Sequence, residues 1–317
     1  MISFELTILG TSSALPTSTR YPTAHVLNVR ERFFLIDCGE GTQIQMRKYG
    51  IKFHRINHIF ISHLHGDHYY GLIGLLSSYT LLERKTDLHI YAHSDLPLIL
   101  KSQLDLLSSD LTYKIIWHPL NFKREQIIFE NAFLKVRSFP LRHRIPCCGF
   151  LFSEQTEPLN LIREKIRDYR IPVKDLHSLK QGADFITPEG VVIPNRELTH
   201  PRKKPRSYAF CTDTSFLPEL RSVLRDVDLL YHEATYDKRM EKRAGEIYHS
   251  TASQAARLAK MTNAGQLIIG HFSARYKDVS ILVDEAKEVF ENTLAAEEGM
   301  VIPVPSRHPS QSPESGF

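Results

Sequence analysis

Cysteine is scarce: Cys38, Cys147, Cys148 and Cys211 are the only four in 317 residues. None is spaced as CxxC and no paired framework emerges, which excludes a disulfide scaffold and a thiolate metal ribbon. Buried thiols in a reducing compartment are expected instead. Long apolar runs are missing too. No stretch reaches the length of a transmembrane helix, and the N-terminus has no basic segment followed by an apolar one. This argues against a membrane partner and for a cytoplasmic location. A strong charge of one sign is also absent, because a formal net charge of +4 is too small to imply nucleic acid by itself. No short repeat of fixed period is evident, which excludes a solenoid.

What remains is ordinary for a globular enzyme: 42 % hydrophobic and 24 % charged residues, with ample chain for a sizeable core. The charge is unevenly placed. Residues 160–206 hold eleven Lys/Arg against six Asp/Glu, a net +5 that exceeds the total for the whole chain. This segment is rich in Pro, Gly, Lys and Arg and has few apolar positions. It reads as an insertion projecting from the core, with a solvated loop as the plain alternative. Within it, Leu161 to Tyr169 can form a short helix, and Arg202, Lys203, Lys204 and Arg206 are candidate phosphate contacts.

The densest chemistry lies in His63-Leu64-His65-Gly66-Asp67-His68, four ligand-type side chains in six positions. The apolar run Asn57 to Ser62 before it reads as a buried strand, and Tyr69 to Tyr79 after it as the opening of a helix. Nitrogen and oxygen donors without thiolate suit zinc, and manganese or iron also fits. Similar placement recurs along the chain. His143, Asp213 and His271 each follow a β-like run, at the sheet edge where α/β proteins place their sites. Asp213 has two oxygens and is the natural bridge between two ions. One site then comprises His63, His65, His143 and Asp213, and the other Asp67, His68, Asp213 and His271.

Strands are expected at 4–9, 24–29, 33–36, 88–92, 133–139, 208–211, 227–231 and 267–269. Helices are expected to 49 and over 96–107, 251–261 (capped by Ser250) and 279–292. Alternation of this kind predicts α/β layers. From Pro303 the tail is Pro/Ser-rich and reads as disordered, so a core over residues 1–302 with the insertion at 160–206 is expected.

The hexad, His143, Cys-Thr-Asp213-Thr and Gly-His271-Phe together resemble the metallo-β-lactamase superfamily. The resemblance extends to its ribonuclease Z family of tRNA 3′-processing endonucleases. It rests further on Leu9-Gly10-Thr11, Asp37-Cys38-Gly39-Glu40-Gly41-Thr42, His232-Glu233-Ala234-Thr235, His249-Ser250-Thr251 and His271-Phe272-Ser273-Ala274-Arg275-Tyr276, and it covers residues 3 to 292. It implies a four-layered αβ/βα sandwich with two Zn2+ per subunit, manganese or another divalent ion being an alternative. It also implies a projecting arm that grips precursor tRNA, usually supplied to the partner's site in a homodimer. Asp67 is then the proton acceptor, His249 the acid for the leaving ribose 3′-oxygen with Glu233 orienting it, and Ser273 and Arg275 candidate phosphate contacts.

Two segments depart from the family. Arg170 to Asp175 replaces the Gly-Pro-rich arm tip, and the early loop keeps Pro16 and Arg20 while losing its usual Lys and Asn. The expected activity is zinc-dependent removal of the 3′ trailer from tRNA precursors. A same-fold hydrolase of a small phosphodiester, lactone or sulfate ester is the alternative, since it would keep every ligand and need no basic insertion. A non-catalytic RNA-binding module usually loses ligands, and all seven candidates survive here. A di-iron relative would carry a carboxylate at position 65.

Overall fold

The computed structural model describes residues 3–107, 111–201 and 204–306. They form two compact units, one running to Ser153 and resuming at Arg206, the other spanning Glu154–Pro205.

In the larger unit the first sheet is built from β1 (Phe4–Gly10), β2 (Ala24–Val29), β3 (Arg32–Ile36), β4 (Ile56–Phe60), β5 (Leu88–Ala92) and β6 (Ile115–Pro119). The second begins with β7 (Gln126–Glu130), β8 (Leu134–Leu141) and β9 (Cys147–Glu154). A short hairpin, β10 (Phe185–Ile186) and β11 (Val192–Ile193), belongs to the smaller unit. The chain then supplies β12 (Ser207–Cys211), β13 (Leu229–Glu233), β14 (Gln266–Gly270), β15 (Thr293–Ala295) and β16 (Val301–Pro303). Strand order is β16-β1-β2-β3-β4-β5-β6 in one sheet and β15-β14-β13-β12-β9-β8-β7 in the other. Pairing is parallel from β3 to β6 and from β12 to β15.

The layering follows from a two-residue period in which both faces of each strand are apolar. Phe34, Ile36, Phe60, Phe150, Phe152, Phe210 and Tyr231 point between the sheets and make one core. Their neighbours Leu35, Ile59 and Ile61 face the helices Thr42–Lys48, Leu72–Leu81 and Leu96–Leu107 instead. On the other side Leu151, Ala209, Leu230 and Ile269 face the helices Ala252–Met261 and Ser280–Lys287. Helix, sheet, sheet and helix give the four-layered αβ/βα sandwich.

Several local expectations need correction. Asp67 and His68 precede the helix expected from Tyr69, which does not begin there. They occupy a separate 3-10 turn, Gly66–His68, and the α-helix starts only at Leu72. The cap of the helix at 252 is Thr251, not Ser250. The Thr251 hydroxyl accepts from the Gln254 N–H while the Gln254 side chain accepts from the Thr251 N–H. Ser250 instead donates its hydroxyl to the Thr214 carbonyl at 2.7 Å. The last helix is shorter than its apolar pattern suggests, ending at Lys287. Pro303 is not tail: β16 pairs with β1, and buried Val304 donates its N–H to the Phe4 carbonyl. Residues 307–317 lie outside the described part.

The smaller unit is more than a loop. Ile171, Leu179, Phe185, Ile193 and Leu198 make a core of their own, beneath the helices Arg163–Asp168 and Leu176–Gln181. Its sequence bounds take in Glu154 and Glu157 and leave out Arg206. Ten Lys/Arg then face eight Asp/Glu, and the net charge falls from +5 to +2. Arg202 and Lys203 lie outside the described residues.

At Gly10 the backbone passes close against the segment at Pro22. A β-carbon there would sit 1.7 Å from the Pro22 carbonyl oxygen. Gly10→Ala is therefore expected to destabilise the protein by at least about 1–3 kcal/mol, since rigid backbone must move. Thr251→Ala, which removes a cap, should cost about 1 kcal/mol. Urea unfolding of the two variants beside the parent checks both values and their order.

Candidate active site

Strand ends from both sheets converge on one polar cluster. The chain leaving β4 supplies Ser62, His63 and His65, and the 3-10 turn adds Asp67 and His68. From the second sheet, His143 follows β8, Asp213 follows β12 and His271 follows β14. All seven sequence-predicted ligands meet here. Their atoms fall into two groups, one of His63, His65, His143 and Asp213 and one of Asp67, His68 and His271.

Asp213 joins the groups through different oxygens. Its Oδ2 lies 3.8 Å from His63 Nε2 and 3.7 Å from His143 Nε2. His65 Nδ1 completes that side, 3.1 Å from His63 Nε2 and 3.0 Å from His143 Nε2. The other oxygen, Oδ1, lies 3.3 Å from His68 Nε2 and 3.0 Å from His271 Nε2. Asp67 Oδ2 closes the second side at 3.3 Å and 3.7 Å from the same two nitrogens, and accepts the Ala14 N–H at 2.9 Å.

The hydrogen bonds around this cluster fix which ring nitrogen is bare. Ser62 donates its N–H and its hydroxyl to the two oxygens of buried Asp37, at 2.7 and 2.9 Å. Its oxygen is thereby left to accept His63 Nδ1–H at 3.0 Å. His68 Nδ1–H goes to Asp37 Oδ2 at 2.7 Å. His143 Nδ1–H goes to the Tyr248 carbonyl at 3.1 Å. Thr235 donates its hydroxyl to Glu233 Oε2 at 2.6 Å, so its oxygen accepts His271 Nδ1–H at 3.0 Å. With Nδ1 carrying the proton in all four rings, each Nε2 presents a lone pair to the cluster. The Nε2 atoms of His68 and His271 are buried and lack a hydrogen-bond partner among the described residues. Unpartnered buried nitrogens are costly, and a divalent cation satisfies them. The donor set of imidazole and carboxylate fits such ions.

His249 stands at the edge of this cluster. Its Nδ1 is 2.9 Å from Glu233 Oε1, and its ring stacks on His271 with centroids 5.6 Å apart. With Asp213 and His271 it forms a third, overlapping group of ligand-type atoms. Burial depresses the imidazole, but the charge and hydrogen bond of Glu233 outweigh it and lift the pKa to about 9. Burial likewise raises the Glu233 carboxyl, and His249 overturns that and holds it low. Ser273 and Arg275 lie on the loop after His271. Ser273 is half-buried, while the exposed Arg275 guanidinium sits 4.9 Å over the Tyr236 ring, which is 6.4 Å from the His249 ring. Arg20 ties that loop down, donating to the Ser273 and Tyr276 carbonyls at 3.3 and 2.7 Å.

Asp37, Ser62, Thr235 and Tyr248 have no role in the sequence reading. Asp37 and Tyr248 do carry a sign of one: both are non-glycine residues with positive φ, 55° and 62°. Such backbone persists where surrounding contacts enforce it.

Two facing αβ layers with a His/Asp cluster at their strand ends define a metallo-β-lactamase-fold protein built to bind divalent metal. A family profile described as "Anti-Pycsar protein Apyc1" matches residues 4–156, just under half of the chain. Ribonuclease Z from Bacteroides fragilis is 50 % identical over 95 % of this chain and 99 % of its own. That from Parabacteroides distasonis is 45 % identical over 96 % and 100 %. Among solved structures, human tRNase Z, short form, superposes with a TM-score of 0.69 at 28 % identity, covering 95 % of this chain and 99 % of that one. The chain belongs to the ribonuclease Z family.

Asp37 touches no ligand atom yet fixes two imidazoles. Asp37→Ala is expected to weaken divalent-metal binding by about 10- to 100-fold. Competition with a chromophoric chelator measures the change.

Proposed function

We propose that this chain is a zinc-dependent endoribonuclease that removes the 3′ trailer from tRNA precursors, leaving a 3′-hydroxyl on the tRNA and a 5′-phosphate on the trailer. The observation that carries this reading is the Asp213 carboxylate, which offers one oxygen to each of two imidazole groups. Two Zn2+ per subunit fit those groups, His63, His65, His143 and Asp213 holding one and Asp67, His68, Asp213 and His271 the other. Ions bound there supply a lowered water pKa and positive charge against a phosphodiester that gains negative charge on attack.

The chain's own groups do the rest. Asp67, fixed by the Ala14 N–H, orients the attacking water and accepts its proton. His249 gives a proton to the departing ribose 3′-oxygen, and Glu233 holds the ring in place for that transfer. Ser273 and Arg275 contact the phosphate next to the acid, the planar guanidinium suiting paired oxygens. The Glu154–Pro205 unit serves as the arm on tRNA, in a cytoplasmic homodimer that supplies it to the partner's site.

The deciding experiment incubates the metal-loaded protein with a tRNA precursor bearing a 3′ trailer, beside bis-p-nitrophenyl phosphate. Cleavage after the discriminator base with the stated ends supports the reading. Hydrolysis of the small ester alone overturns it. Raising salt should weaken precursor binding with a log–log slope of about −0.7 to −0.9 per neutralised phosphate, and a flat response would remove the arm from the scheme.

A proton donor works only while protonated. Glu233 raises the His249 pKa above that of a free imidazole, so the ring holds its proton further up the pH range and cleavage should fall once alkaline pH removes it. His249→Ala is expected to lower turnover by about 10²- to 10⁴-fold, lose that alkaline fall and retain its metal. Turnover across pH, with metal analysis of the same samples, tests the assignment.

A further inference from the structure

Two large apolar side chains lie exposed on the segments that carry Asp67 and its Ala14 hydrogen-bond donor. Tyr70 is 62 % exposed and Leu15 66 %. An exposed apolar residue alone means little, since much of any protein surface is apolar. The setting of Tyr70 is what distinguishes it. Its ring lies against Gly66, which stands between the ligand-type residues His65 and Asp67. A β-carbon on Gly66 would fall only 2.1 to 2.7 Å from three atoms of that ring. Buried Tyr69 meets it edge-on with centroids 5.0 Å apart, and the Tyr70 N–H is tied to the Gly66 carbonyl at 2.8 Å. Gly66 and Tyr69 therefore border the ring, while most of the side chain stays open to solvent. Leu15 follows Ala14, whose N–H holds Asp67 Oδ2, and is exposed as well.

We propose that Tyr70 is a nucleobase-stacking platform that seats the nucleotide next to the scissile phosphate. The inference rests on the nuclease reading above and extends it to a residue that fixes the register of cleavage. A preset ring loses little freedom when a base stacks on it. Every base has a π-face, so the platform tolerates any trailer sequence while setting where the backbone runs.

The test compares Tyr70→Phe and Tyr70→Leu in the full-length, metal-loaded protein. The substrate is a tRNA precursor carrying 2-aminopurine as the first trailer nucleotide, or in a second substrate at the discriminator position. In the parent and in Tyr70→Phe, binding should quench one of the two probes. Tyr70→Leu keeps the bulk but not the π-face. It should lose the quenching, raise KM by roughly 5- to 100-fold with kcat changed far less, and scatter the cleavage position. Quenching and KM unchanged in Tyr70→Leu overturn the proposal. So does a loss confined to kcat and accompanied by metal loss, which marks a structural role. If the parent itself leaves the precursor uncut, the nuclease reading fails and this inference fails with it. If the parent cuts and Tyr70→Leu cuts identically, only the inference fails.

Discussion

Everything in the cluster depends on one buried carboxylate reached from two sides. Asp213 stands at the end of β12 in the second sheet, yet His63 and His68 come from the first. Neither sheet can assemble the groups alone. The large aromatic residues between the sheets are therefore part of the site's geometry. Phe34 and Phe60 of the first sheet pack with Phe150, Phe152 and Phe210 of the second, setting the distance at which the two sets of strand ends face each other. Parallel pairing in β3–β6 and β12–β15 places those ends on one side, where the chain turns and side chains are free for chemistry.

The second constraint is proton placement. A histidine ligates only through a nitrogen that lacks hydrogen, so each ring needs an acceptor on its far side. Asp37 serves His63 through Ser62 and serves His68 directly, while Glu233 serves His271 through Thr235 and serves His249 directly. The two halves thus share a plan: one buried carboxylate, one hydroxyl relay, two imidazoles. The difference lies in what the second imidazole does. His68 Nε2 points at the ligand cluster, whereas His249 sits at the rim with its pKa lifted by Glu233.

The layers and all seven candidate ligands were legible because each leaves a local trace. Buried strands write apolar runs, and the candidate ligands fall directly behind them. The roles of the supporting acceptors were not legible. Asp37 and Thr235 stand in segments that carry the family resemblance, but their roles, like those of Ser62 and Tyr248, exist only once two sheets have met. Tyr248 acts through its backbone carbonyl, which no side-chain pattern can announce. Helix limits failed for a related reason. Ser250 and Thr251 are both capable caps, and the choice fell to Thr251 because the Thr214 carbonyl takes the Ser250 hydroxyl. The short strands β15 and β16 carry too few residues for a period to show, and contacts with β14 and β1 define them.

Charge ties these levels together. Asp37, Asp213 and Glu233 are buried and Asp67 nearly so, a concentration of carboxylates that no apolar interior tolerates unaided. Part of the compensation comes from within the chain: the Ser62, Thr214 and Ala14 N–H groups and the Thr212 and Thr235 hydroxyls all donate to them. Cations are the natural remainder, as the unpartnered Nε2 atoms of His68 and His271 also indicate. In the proposed mechanism Glu233 keeps a proton on His249, beside the place where a phosphodiester would lose its leaving oxygen. Metal affinity and acid strength are then two consequences of one arrangement. Removing Glu233, which reaches His271 through Thr235 and His249 directly, would disturb both.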